Sequence, residues 1–196
     1  MKKTALTAIL CLLLVAPFAQ AQSNIEVNIK HKNTPYWIEV ADRNCGATSN
    51  KINSYGDLYV WNESTDSKAR EFMGTSSTSV GSACDNFRGG KAEGWRLPTA
   101  SEVRFLMSKL ELKSTHSILR SERNDTTQFA YLPFGGYKES TTSARLNLNR
   151  AGAYWTSEGN KRSKYASILF ITSEFPNNSM QPKTFALSAR CVRDVE

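Results

Sequence analysis

Histidine is scarce in this chain. Only His31 and His116 occur, and they stand apart from each other and from every cysteine. That leaves neither the Cys/His cluster of a structural zinc site nor the base of a Ser-His-Asp arrangement. There is no CxxC pair. Past the first twenty or so residues there is also no apolar run long enough to cross a bilayer as a helix. Paired carboxylates in a recognisable setting are missing too: Glu102 has capping spacing, and Glu158 and Glu174 have no visible partner. Trp61-Asn62-Glu63 offers one Asn–Glu pair, far short of the roughly six to eight oxygens that calcium takes. These gaps argue against an enzyme, a zinc module and a membrane span. No metal or cofactor is expected, and no internal repeat or second domain is visible.

What the chain does have begins at its start. Lys2 and Lys3 precede an apolar stretch over 5–16, and Ala19-Gln20-Ala21 supplies small residues for cleavage. This pattern predicts a secretory signal peptide over 1–21 and a single domain over 22–196. Export places the protein in the periplasm, at the cell surface or outside the cell. The formal charge is +7, from 25 basic and 18 acidic residues, and Lys2 and Lys3 contribute two of the basic ones. The remainder is scattered, with clusters at 161–164 and 190–193, and reads as solvated surface charge. Nucleic acid is not an expected partner of an exported chain. Cys45, Cys84 and Cys191 remain after cleavage. In an oxidising compartment they imply one disulfide and one thiol, and spacing alone leaves all three pairings open.

The clearest local signal is Gly94-Trp95-Arg96-Leu97-Pro98-Thr99. Thr99 and Glu102 have capping-box spacing, and Val103, Leu106, Met107 and Leu110 form one apolar stripe. A helix is predicted from there to about residue 112. Trp95 and Leu97 are expected to bury beneath its first turn, so this stretch, with Arg96 and Trp155, forms a packing centre. A second, shorter helix is predicted where Val80, Ala83, Cys84 and Phe87 repeat before Gly89-Gly90. Strands are predicted near 25–29, 36–40, 57–61, 129–134, 153–157, 165–171 and 185–193. Polar loops are predicted over 113–127 and 137–150, and a turn over 175–179. The 137–150 loop is long enough to suggest function. Its Tyr137, Arg145 and Arg150, with Tyr154 beside it, are the candidate ligand-binding residues, since Tyr and Arg are common recognition side chains.

Six motifs then follow in order: Asn44-Cys45-Gly46-Ala47, Tyr55-Gly56-Asp57-Leu58-Tyr59-Val60-Trp61, Gly94-Trp95-Arg96-Leu97-Pro98-Thr99, Leu132-Pro133-Phe134-Gly135-Gly136-Tyr137, Tyr154-Trp155-Thr156-Ser157 and Ala189-Arg190-Cys191-Val192-Arg193. Together they resemble the Fibrobacter succinogenes major paralogous domain family and the Legionella collagen-like protein C-terminal domain family, over about 37–193. The resemblance implies an α+β, C-type-lectin-like fold: a small twisted antiparallel sheet, two helices, long irregular loops, and termini running as neighbouring strands. It also implies a Cys84–Cys191 disulfide, leaving Cys45 as a buried thiol. The sugar-binding triplets of true C-type lectins are absent. The late cysteine pair of the related formylglycine-generating oxidases is absent as well.

The expected function is therefore non-catalytic: a secreted or surface-associated bacterial module that recognises a glycan or protein through its loops. The alternative is a structural or tip subunit of a fimbria-like assembly, in which the alternating strand at 25–29 completes a neighbour's sheet. An enzyme is the third and weakest expectation.

Overall fold

A computed structural model describes residues 24–31, 34–61, 83–85, 87, 93–123, 127–139, 144–159 and 162–195. The expected signal peptide, Asn62-Glu63 and most of the expected helix around 80–87 lie outside the described residues.

The elements run in chain order as β1 (Ile25–His31), β2 (Thr34–Val40), β3 (Tyr59–Val60), α1 (Ala100–Met107), β4 (Leu110–Leu112), β5 (His116–Arg120) and β6 (Phe129–Pro133). They continue with β7 (Ala151–Gly159), β8 (Tyr165–Thr172), β9 (Pro176–Pro182), β10 (Ala186–Leu187) and β11 (Val192–Val195). They form four small sheets, ordered β1-β2-β11, β10-β3, β4-β5-β6 and β7-β8-β9, each antiparallel.

This corrects the expected α+β fold with two helices. Strand makes up 48% of the described residues, and among them one short helix is present. Around Cys84, among the described residues, Ala83 has helical backbone and Cys84 and Asp85 form a turn, with the Phe87 N–H donating to the Cys84 carbonyl at 3.1 Å. The capped helix is shorter than its stripe predicts. It ends at Ser108, and Leu110 and Leu112 turn back as β4 to pair with β5. Pairing with β5 overrides helical periodicity here, because Leu110 then lies opposite the buried Leu119.

The polar stretch 113–127 likewise contains β5, and the expected turn at 175–179 is the start of β9. Its Pro176 and Pro182 sit at the two ends of an edge strand, where proline is tolerated. Asn178 fixes it by donating from Nδ2 to the Ser167 hydroxyl at 2.9 Å and the Ile168 carbonyl at 3.0 Å. The termini also depart from expectation. β1 and β11 share a sheet, but β2 lies between them.

The β7–β8 pair is buried on both faces and divides the interior in two. Ala153, Trp155, Ala166 and Ile168 face an aromatic core with Tyr59, Trp61, Trp95 and the three cysteines. Tyr154, Leu169 and Ile171 face an aliphatic core with Ile25, Val27, Ile29, Val103, Leu106 and Leu119. A strand buried on both faces reads as a near-continuous apolar run, as 165–171 does. Trp95 and Leu97 belong to the aromatic core, whereas the helix stripe faces the aliphatic one. Trp155 is wholly buried, donates from Nε1 to the Tyr59 carbonyl at 2.7 Å, and meets Trp61 edge-on at 5.4 Å. The disulfide joins Cys84 to Cys191, with Cα atoms 5.8 Å apart and a sequence separation of 107. Closing a loop of that length stabilises the fold by about 5 kcal/mol in the chain-entropy account.

Candidate functional site

The start of α1 is built by local chemistry. Thr99 sits in extended backbone after the buried Pro98, and its hydroxyl accepts from the Glu102 N–H at 3.1 Å. Glu102 Oε2 accepts from the Thr99 N–H at 2.7 Å, completing the box. Arg96 reaches this carboxylate from an extended segment whose backbone bonds Val192 in both directions, at 2.9 and 2.8 Å. It grips Glu102 with both ends of its fork, Nη1 to Oε2 at 2.9 Å and Nη2 to Oε1 at 2.7 Å, and also bonds Asp194. The Tyr36 hydroxyl donates to Glu102 Oε1 at 2.9 Å.

Four donors thus saturate the acceptor sites of one carboxylate that is only 1% exposed. Burial alone would push the Glu102 carboxyl up, but Arg96, the Thr99 N–H and Tyr36 outweigh it and hold the carboxyl below its usual range. Glu102, with Asp194, pushes Arg96 up against burial. Burial, then Glu102, pushes Tyr36 up as well.

These groups line an open groove of about 550 Å³. Thr34 and Tyr36 come from β2, Ser101 and Glu102 from α1, Glu158 from β7 and Asp194 from β11, with Arg96 and Thr99 completing the wall. Glu158 Oε1 accepts from the Ala100 N–H at 3.1 Å, which places a second carboxylate at the helix's positive end. The groove therefore presents a largely apolar wall with hydroxyls and the Glu158 and Asp194 carboxylates set into it, beside one neutralised guanidinium. It suits a ligand that offers an apolar face together with hydrogen-bonding groups.

The residues expected to bind a ligand lie elsewhere. Tyr154 is a core residue rather than a loop-facing one. It is 2% exposed, its hydroxyl donates to the Pro133 carbonyl at 2.5 Å, and burial pushes it up to about 12. Arg145 is an internal strut, donating to the Gly135 and Gly56 carbonyls at 2.9 and 2.6 Å beneath the Tyr55 ring. Tyr137 is half-buried and stacks on Phe185 at 5.9 Å, with its hydroxyl accepting from Asn147 Nδ2 at 3.2 Å. Arg150 is exposed.

The loop that carries them is fixed by close approach. Gly136 has φ 65°, and a Cβ there would meet the Leu146 carbonyl oxygen at 2.2 Å. So of the four, Arg150 alone presents its side chain fully to solvent. The packing-centre residues Trp95, Arg96, Leu97, Pro98, Thr99, Glu102 and Trp155 are all half-buried or buried.

One basic cluster is not surface charge. Arg190 is 4% exposed, and its guanidinium donates to Asn44 Oδ1 at 2.9 Å, to the Ala41 carbonyl at 2.6 Å and to the Tyr131 carbonyl. It ties the last strand to the end of β2 and to β6. Arg193 lies over the Trp95 ring at 4.9 Å and pairs with Glu39. Its charge could be read from the sequence, but its long-range partners could not.

Three cysteines also converge, which spacing does not reveal. The sulfurs of Cys45, Cys84 and Cys191 lie within 4.8 Å of one another. With Cys84 and Cys191 disulfide-bonded, Cys45 alone can offer a thiolate, so the trio is not a metal-ligand set in this state. Among the described residues no helix is long and apolar enough to cross a membrane. Compared with known protein families, curated proteins and solved structures, the chain matches none.

Proposed function

We propose that the protein is an exported, non-catalytic recognition module whose ligand, a glycan or a polar protein segment, sits in the groove at the start of α1. The observation that carries this reading is the groove itself: about 550 Å³, open, and walled by side chains locked by a capping box and a bidentate Arg96–Glu102 pair. Preorganised walls lower the cost of binding. Glu102 is held ionised with both oxygens occupied, a positioning role rather than that of an acid or base near neutral pH.

The ordered motifs that resemble the Fibrobacter succinogenes major paralogous domain and Legionella collagen-like families agree with a bacterial surface protein. Strand donation to another subunit is less well supported. β1 pairs with β2 along its whole length, and its outer edge bonds Glu122 at Glu26 and Asn28.

Glycan and surface-protein arrays probed with residues 22–196 test the reading. Ser101→Tyr, which fills the groove, should weaken any hit at least about tenfold, worth about 1.4 kcal/mol, with the circular dichroism spectrum unchanged. Silence on both arrays, or binding indifferent to Ser101→Tyr, refutes it.

A further inference from the structure

Cys191 has two sulfur neighbours. It is bonded to Cys84, and its Sγ stands 3.1 Å from the Sγ of Cys45, whose thiol donates toward it. Backbone bonds hold these two segments side by side: Cys45 N–H to the Ala189 carbonyl and Ala41 N–H to the Cys191 carbonyl, each 3.0 Å. Cys84 arrives separately, at the start of the turn at 84–85. Thiol–disulfide exchange needs a thiolate within reach of one disulfide sulfur, and it leaves the overall oxidation level unchanged.

The geometry points to a built-in exchange site in which Cys45 and Cys84 compete for Cys191. Cys45 gives up its proton and its sulfur forms a bond to the Cys191 sulfur. The Cys84–Cys191 bond breaks, and Cys84 leaves as the thiolate and takes up a proton. No oxidant or reductant is consumed. The product keeps the closing strand cross-linked, now to the segment after β2, and turns Cys84 into the chain's available thiol. The cross-link then spans 146 residues instead of 107.

The surroundings slow this step without forbidding it. Burial among the aromatic residues pushes the Cys45 thiol up to about 12, with Arg190 pulling it down and Asp57 pushing it up. Thiolate is therefore scarce in the native state, and the Cys84–Cys191 bond is the resting one. The site is distinct from the groove, so the binding reading can fail while this one stands.

The test holds the native three-cysteine protein, residues 22–196, in iodoacetamide without added thiol and maps labels and cross-links by non-reducing peptide mass spectrometry. Label should accumulate on Cys84 in step with a Cys45–Cys191 linkage, and should fall to background in Cys45→Ala, which keeps the resting disulfide. In Cys84→Ala, Cys45 and Cys191 should cross-link on oxidation. A wild-type Cys84 that stays unlabelled, or one labelled as fast in Cys45→Ala, overturns the proposal. That pair of measurements decides even where Cys84→Ala does not fold.

Discussion

On one side of the β7–β8 pair lie Ile25, Val27, Ile29, Val103, Leu106 and Leu119. On the other lie Trp61, Trp95, Trp155 and three cysteines. The aliphatic side is bounded by strands of seven residues, β1 and β2, and by the helix, so long backbone ladders hold its shape. The aromatic side closes on β3 and β10, two residues each, and on loops. Two-residue ladders supply few hydrogen bonds, and other devices replace them: the disulfide, the indole bond from Trp155 to Tyr59, and the buried Arg190. The comparison teaches that where regular structure is short, cross-linking and buried polar struts do the work of a sheet.

The sharpest way to break the comparison is to cut the cross-link. Cys84→Ala, combined with Cys45→Ala so that no Cys45–Cys191 bond can replace the lost one, should lower unfolding free energy by about 5 kcal/mol in a urea titration. Next, Trp155→Ala should cost about 4 kcal/mol and Leu119→Ala about 3 kcal/mol. Trp155→Ala should be non-additive with Cys84→Ala, because they share the aromatic core, while Leu119→Ala should add. Additivity of both pairs would mean that the two cores are not mechanically separate.

Glu102→Gln should cost about 2–3 kcal/mol. It also carries a pH signature. The folded carboxyl titrates below its unfolded counterpart, so its contribution is complete above the ordinary carboxylate range and is lost as pH falls through the depressed folded value. Wild type should therefore lose stability in urea melts from about pH 4 downward, and Glu102→Gln should lose less over that window. The smallest effect is expected at Arg150→Ala, within about 0.5 kcal/mol, because the side chain is exposed.

The capping box, the aromatic strand at 153–157 and the central strand at 165–171 were legible because each is written in local spacing. Trp95, Thr99 and Glu102 announced themselves in the same way. The expected second helix is replaced, among its described residues, by helical backbone at Ala83 and a turn at Cys84 and Asp85 that delivers Cys84 to Cys191, a long-range pairing that local spacing does not encode. β4 and β9 were missed because each depends on pairing with β5 and β8, and composition there favours helix or turn.

Tyr36 and Asp194, half of the groove's anchoring set, lie on β2 and β11, and no local pattern links them to Arg96. Tyr154 and Arg145 looked like recognition residues by type. Their carbonyl partners on Pro133, Gly135 and Gly56 are tertiary and invisible beforehand.

The Arg96–Asp194 contact has a consequence for biosynthesis. A nascent chain that has made its helix and its early strands still lacks one wall of the groove until residue 194 has emerged. The groove is thus complete only once the far strand has zipped onto β2, so its shape is a late product of synthesis.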